Sequence, residues 1–128
     1  MQSEITSTSQ SVDMTLVDLQ IRNDRGQSHI SVNGELDASS ARLLDETVEW
    51  LRRDGHRRIT LDLDALTFLD CSVLSVLIRS HQTLRAAGGQ LTLIRPTAAA
   101  RRLFRLTGVD RELDIRATAA GRSAALAR

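Results

Sequence analysis

Apolar residues recur in this chain with two different periods, and the order in which the periods alternate constrains the fold more than anything else. Val17, Leu19 and Ile21 fall on one side of an extended segment and Asp18, Gln20 and Arg22 on the other, which predicts a strand. Asn23-Asp24-Arg25-Gly26 supplies turn chemistry, and Ile30 and Val32 alternating with Ser31 and Asn33 give a second strand and a hairpin. The period then becomes helical. Leu44, Val48 and Leu51 share one face over 38–54, with Asp37 or Ser39 to cap the start and Gly55 to end it. Ile59, Leu61 and Leu63 alternate again as a third strand, and a short connection, ALTFLD, leads to a second helix over 71–87. That helix carries Leu74, Leu77, Ile78, His81 and Leu84 on one face, and Gly88-Gly89 stops it. Leu91 and Leu93 mark a fourth strand. Pro96-Thr97 opens a third helix with Leu103, Phe104 and Leu106, Gly108 ends it, and Leu113 and Ile115 suit a last short strand.

Strands that alternate with helices require crossovers, so the expected class is α/β with a mixed sheet of four to five strands. The strands alternate apolar and polar residues instead of being apolar throughout, which places the helices mainly on one face of the sheet. A length of 128 residues implies one domain, expected over 15–117. Residues 1–14 are rich in Ser, Thr and Gln, with Ile5 almost their only large apolar residue, and read as a disordered tail. Residues 118–128 read as a C-terminal tail or short helix.

Charge and composition exclude several roles. Seventeen basic residues, all Arg, stand against 16 acidic ones for a net charge of +1, and aromatic residues make up 2%. A nucleic-acid binder needs a basic stripe and stacking aromatics, so no direct nucleic-acid contact is expected. No apolar run reaches the roughly 18 residues of a membrane span, and the first residues have neither a basic nor an apolar signal region. The lone Cys71 cannot form an internal disulfide. The expected location is cytoplasmic.

Catalytic and metal signatures are missing: His29, His56 and His81 are scattered, and Gly88-Gly89 follows a helix instead of cradling a phosphate. No cofactor, metal or enzyme activity is expected. The arginines at 52, 53, 57 and 58 suit the negative end of the first helix. Cys71 at a helix start could have thiol reactivity, but no base or phosphate-binding loop accompanies it. The informative stretch is Asp70-Cys71-Ser72-Val73-Leu74. Asp70 can cap the second helix, and Ser72 lies in its first turn beside the positive end of the dipole, where a phosphoryl group would meet free backbone N–H donors. Such a group adds roughly −1.5 to −2 of charge, which a docked partner could not bury unpaired. Val73 and Val76 lie off the main apolar stripe. They belong either to a well-buried central helix or to an exposed patch that marks an interface.

These residues give the chain a resemblance to the STAS family, and within it to the small stand-alone anti-sigma factor antagonists. Gly34-Glu35-Leu36-Asp37, the run LDLDALTFLDCSVL over 61–74, and Arg85-Ala86-Ala87-Gly88-Gly89 with LTLI and RRLFRLTGVD carry it. The resemblance implies a protein that binds an anti-sigma factor, itself a serine kinase, when unmodified, and so frees a sigma factor. It implies phosphorylation at Ser72 as the off switch and a serine phosphatase that restores the unmodified form. By the same resemblance Glu35, Asp37, Asp70, Cys71, Ser72, Val73 and Val76 are partner contacts, with Asp37 beside Ser72. The chain departs from the family with Cys71 before the acceptor and with Val73 where glycine is usual. The alternative is therefore a STAS scaffold or sensor module that binds partners but is not phosphorylated, because Val73 keeps a kinase from Ser72.

Overall fold

The computed structural model describes residues 4–12 and 15–118. Seven strands and three helices follow in the order β1 (Glu4–Val12), β2 (Thr15–Asp24), β3 (Gln27–Leu36), α1 (Ala38–Arg53), β4 (Arg58–Asp62), β5 (Leu66–Leu69), α2 (Ser72–Ala86), β6 (Gln90–Ile94), α3 (Ala98–Thr107) and β7 (Asp114–Arg116). They build one mixed sheet in the order β1-β2-β3-β4-β6-β7, with β5 paired to β3 off this path. The α/β class and mixed sheet are as the periodicity predicts. Two strands exceed the expected number.

β1 occupies the segment read as a tail, and its whole length pairs antiparallel with β2 from Glu4↔Asn23 to Val12↔Thr15. A polar Ser/Thr segment can be held by the ladder of a neighbouring strand without bringing its own core, which apolar patterning does not detect. β5 lies inside the connection ALTFLD and pairs parallel with the end of β3. The expected C-terminal tail or helix falls outside the described residues beyond Thr118.

The three parallel steps from β3 to β4, β6 and β7 all move the same way across the sheet. Right-handed crossovers then stack α1, α2 and α3 on a single face. Leu19, Ile30, Leu61 and Leu93 from the strands join Leu44, Leu51, Leu77, Leu84 and Phe104 from the helices in one buried cluster. Each fully buried large side chain contributes about 1.5–3 kcal/mol. The opposite face carries the alternating polar residues, which satisfy one another. Thr92 Oγ1 and Gln90 Nε2 both donate to Asp114 Oδ2, at 3.0 and 2.7 Å.

Gly89 shows what the Gly-Gly pair does beyond ending α2. A Cβ at this position would lie 2.1 Å from the carbonyl oxygen of Arg57, so only glycine lets the two backbones meet. The gain is the bond from the Gln90 amide to that same oxygen at 2.8 Å, which starts the β4–β6 register.

Candidate functional site

Two helices begin side by side at the carboxyl end of β3. The first half of β3 pairs with β4 and its last residues pair with β5, with an irregularity between Gly34 and Glu35. Gly34 takes φ of +102° there, a conformation costly for any residue with a Cβ. The kink leaves Glu35 exposed and Leu36 buried, so Asp37 emerges at the start of α1. Its Oδ1 accepts from the amides of Ser39 and Ser40 at 3.0 and 3.1 Å, and Ser40 Oγ accepts in return from the Asp37 amide at 2.9 Å. Asp37, not Ser39, is the cap. Ser40 completes the capping box, a partner that sequence reasoning missed because serine stands where Glu or Gln is the usual signal.

β5 ends next to it. The Asp70 amide donates to the Leu36 carbonyl at 3.0 Å, so Asp70 leaves β5 beside the segment that carries Asp37. Asp70 Oδ1 accepts from the Ser72 amide at 3.2 Å, the Asp70 carbonyl from the Val73 amide at 3.0 Å, and the Cys71 carbonyl from the Leu74 amide at 3.0 Å. This corrects one expectation: the amides of Ser72, Val73 and Leu74 are not free donors awaiting an anion. Asp70 and the tight turn at Cys71 already hold them. A negative group added to Ser72 would therefore face an engaged carboxylate instead of an open amide cradle.

Cys71 and Ser72 are exposed, Asp37, Asp70 and Val76 are half-buried, and Ser75 Oγ donates to the Ser72 carbonyl at 3.2 Å. Val73 is 0% exposed, inside the core cluster with Leu74 and Leu77. Val73 is thus corrected as a partner contact. α2 packs on both the sheet and α1, so a second apolar side is needed for burial and not for docking. Val73 is turned into the core, whereas its neighbour Ser72 is exposed. Of the remaining candidates, Glu35 near the end of β3 and Asp37 just after it adjoin Asp70, Cys71 and Ser72 after β5, and Val76 lies one turn into α2.

A second polar cluster was not legible from the alternation. On the polar face Asp62, 4% exposed, accepts from Arg95 Nε at 3.1 Å, is also ion-paired with Arg95 Nη2, and lies 3.4 Å from His29 Nε2. Its Oδ1 also accepts from the Asp64 amide at 3.1 Å. Burial pushes the Asp62 carboxyl up, but the Arg95 hydrogen bond and charge, the Asp64 amide and His29 outweigh it and hold it below the usual carboxylate range. The cluster ties the turn before β5 to the loop before α3, where Arg95 itself takes φ of +52°.

The model of the STAS domain matches residues 9–121, and the chain belongs to this family. It is 28% identical over 80 residues to an anti-sigma-B factor antagonist of Staphylococcus aureus (strain NCTC 8325 / PS 47), covering 62% of this chain and 74% of that protein. The crystal structure of an anti-sigma factor antagonist from Mycobacterium paratuberculosis shares the fold, with a TM-score of 0.72, 24% identity and 96% of each chain covered. The Bacillus cell fate determinant SpoIIAA, solved in its phosphorylated form, does so with a TM-score of 0.64 and 20% identity over 86% of this chain and 99% of that one. Among the described residues no helix is long and apolar enough to cross a membrane.

Proposed function

We propose that this chain is an anti-sigma factor antagonist that works by binding and not by catalysis. Unmodified, it engages an anti-sigma factor of the serine-kinase type through Glu35, Asp37, Asp70, Cys71, Ser72 and Val76, and so releases a sigma factor. Phosphorylation of Ser72 by that kinase ends the complex, and a serine phosphatase restores it. Neither nucleic acid nor a membrane takes part in this role. The function named for the Staphylococcus aureus relative and the phosphorylated state of the Bacillus fold neighbour support the assignment.

One observation carries the switch: the hydroxyl-bearing Ser72 is exposed at the first position of α2, two residues after Asp70, whose carboxylate already accepts from the Ser72 amide. A phosphoryl group of roughly −1.5 to −2 charge placed there adds like charge to an acidic surface, and a partner that covers it must desolvate both. Incubation with a cognate serine-kinase anti-sigma factor and ATP, read by intact mass, tests the assignment. One phosphoryl group is expected on the native chain and none on Ser72→Ala. Unchanged mass of the native chain would favour an unswitched scaffold, and modification of Ser72→Ala would move the acceptor elsewhere.

A further inference from the structure

We propose that β1 is a dimerisation edge, where the strand pairs antiparallel with β1 of a second copy about a two-fold axis at Thr8 and joins the two sheets into one. The sheet order ends at β1, which among the described residues pairs with β2 and with nothing on its outer side. That leaves a nine-residue row in which alternate residues turn their backbone N–H and C=O groups away from the sheet. The extensive contacts of β1 are with β2 alone. A strand held in this way recovers the cost of ordering its backbone through its ladders, and pairing on the outer side adds the missing one. Edges that stay single are protected by brevity, Pro, Lys or a bulge. β7, at the other end of the sheet, has only three residues. β1 has none of these devices. Its sequence, EITSTSQSV, lacks Pro, Lys and Arg, and its register with β2 runs one to one from Glu4↔Asn23 to Val12↔Thr15.

A second copy suits this edge by symmetry and by charge. Antiparallel pairing over the full strand sets Thr8 opposite Thr8, Ser7 opposite Ser9 and Glu4 opposite Val12, so each residue meets a partner. Glu4 is the one ionisable residue of β1, and the two Glu4 fall at opposite ends of the ladder, where they do not repel. Ser and Thr occupy its centre, and these types pair well across antiparallel strands. The association closes at two copies, because each β1 edge is consumed by the other. β2 separates β1 from the strand that carries Glu35, so the proposal stands apart from the antagonist reading.

The test is sedimentation equilibrium of the full chain under reducing conditions, over micromolar to millimolar concentrations. A reversible monomer–dimer equilibrium is expected. Ser7 and Ser9 are in register with Gln20 and Asp18 of the polar face, so charges introduced there spare the core. Ser7→Lys/Ser9→Lys sets lysine against lysine twice across the two copies and should weaken the dimer about tenfold. Ser7→Lys/Ser9→Glu sets lysine against glutamate twice and should keep it, with both variants folded by circular dichroism. On a Cys71→Ser background, Thr8→Cys should cross-link two copies under mild oxidation and Val12→Cys should not. A chain that is monomeric at every concentration would overturn the proposal and leave the edge to a strand of another protein. So would a dimer that both charge variants weaken equally or that neither affects, and so would cross-linking through Val12→Cys as readily as through Thr8→Cys.

Discussion

The Asp70 amide and the Leu36 carbonyl are joined by a 3.0 Å bond, and that bond sets the entrances of α1 and α2 next to each other. An aspartate stands at each entrance: Asp37 after β3 caps α1, and Asp70 after β5 accepts from the Ser72 amide from just ahead of Cys71, the residue at the cap position of α2. The two carboxylates complement two positive helix ends, so the surface is electrostatically settled before any modification.

Asp70 has a structural and an electrostatic part that can be separated. Asp70→Ala removes the bond to the Ser72 amide and should cost about 0.5–2 kcal/mol in chemical denaturation. Asp70→Asn keeps an acceptor at the same place and should cost clearly less. Equal losses in the two variants would mean that charge, and not the cap, is what stabilises the helix start.

Val73→Gly introduces the residue that the family resemblance leads one to expect at this position. It deletes a fully buried side chain from the first turn of α2, and about 2–4 kcal/mol of stability should go with it. The initial rate of Ser72 phosphorylation should change little, because the side chain points away from the surface. A large gain in rate would show that valine obstructs the kinase after all.

Asp62 is expected to make stability depend on acid. Its folded carboxyl lies below its unfolded value, so its contribution is complete above the unfolded pKa of about 3.9 and disappears as pH falls through the lower folded value. Asp62→Asn should cost about 1–3 kcal/mol at neutral pH, and the difference from the native chain should shrink below about pH 4. Urea melts at neutral and acid pH measure this. A difference that does not change with pH would exclude the ion pair as its source.

Much of this was legible in the sequence. Three helices and five of the seven strands announce themselves by period, because their apolar residues are what the sheet and helices bury. β1 did not, since its Ser and Thr side chains carry no apolar signal and it is held by backbone pairing with β2. β5 did not, because four residues interrupted by Thr67 are too short for alternation to register. At the site, Asp37, Asp70 and Ser72 were legible as helix-start chemistry. Val73 was not, because its burial depends on α2 packing on two sides, a tertiary fact that one helix cannot reveal. His29, Asp62 and Arg95 come from separate strands and a loop, and only the sheet brings them together.

The most direct measurement is the dissociation constant of one anti-sigma factor for the native chain and for the same chain fully phosphorylated on Ser72. Native affinity should fall at least about a hundredfold on phosphorylation, with Ser72→Asp reproducing part of the loss and the fold still intact by its melting temperature. Equal affinity of the two forms would contradict the account.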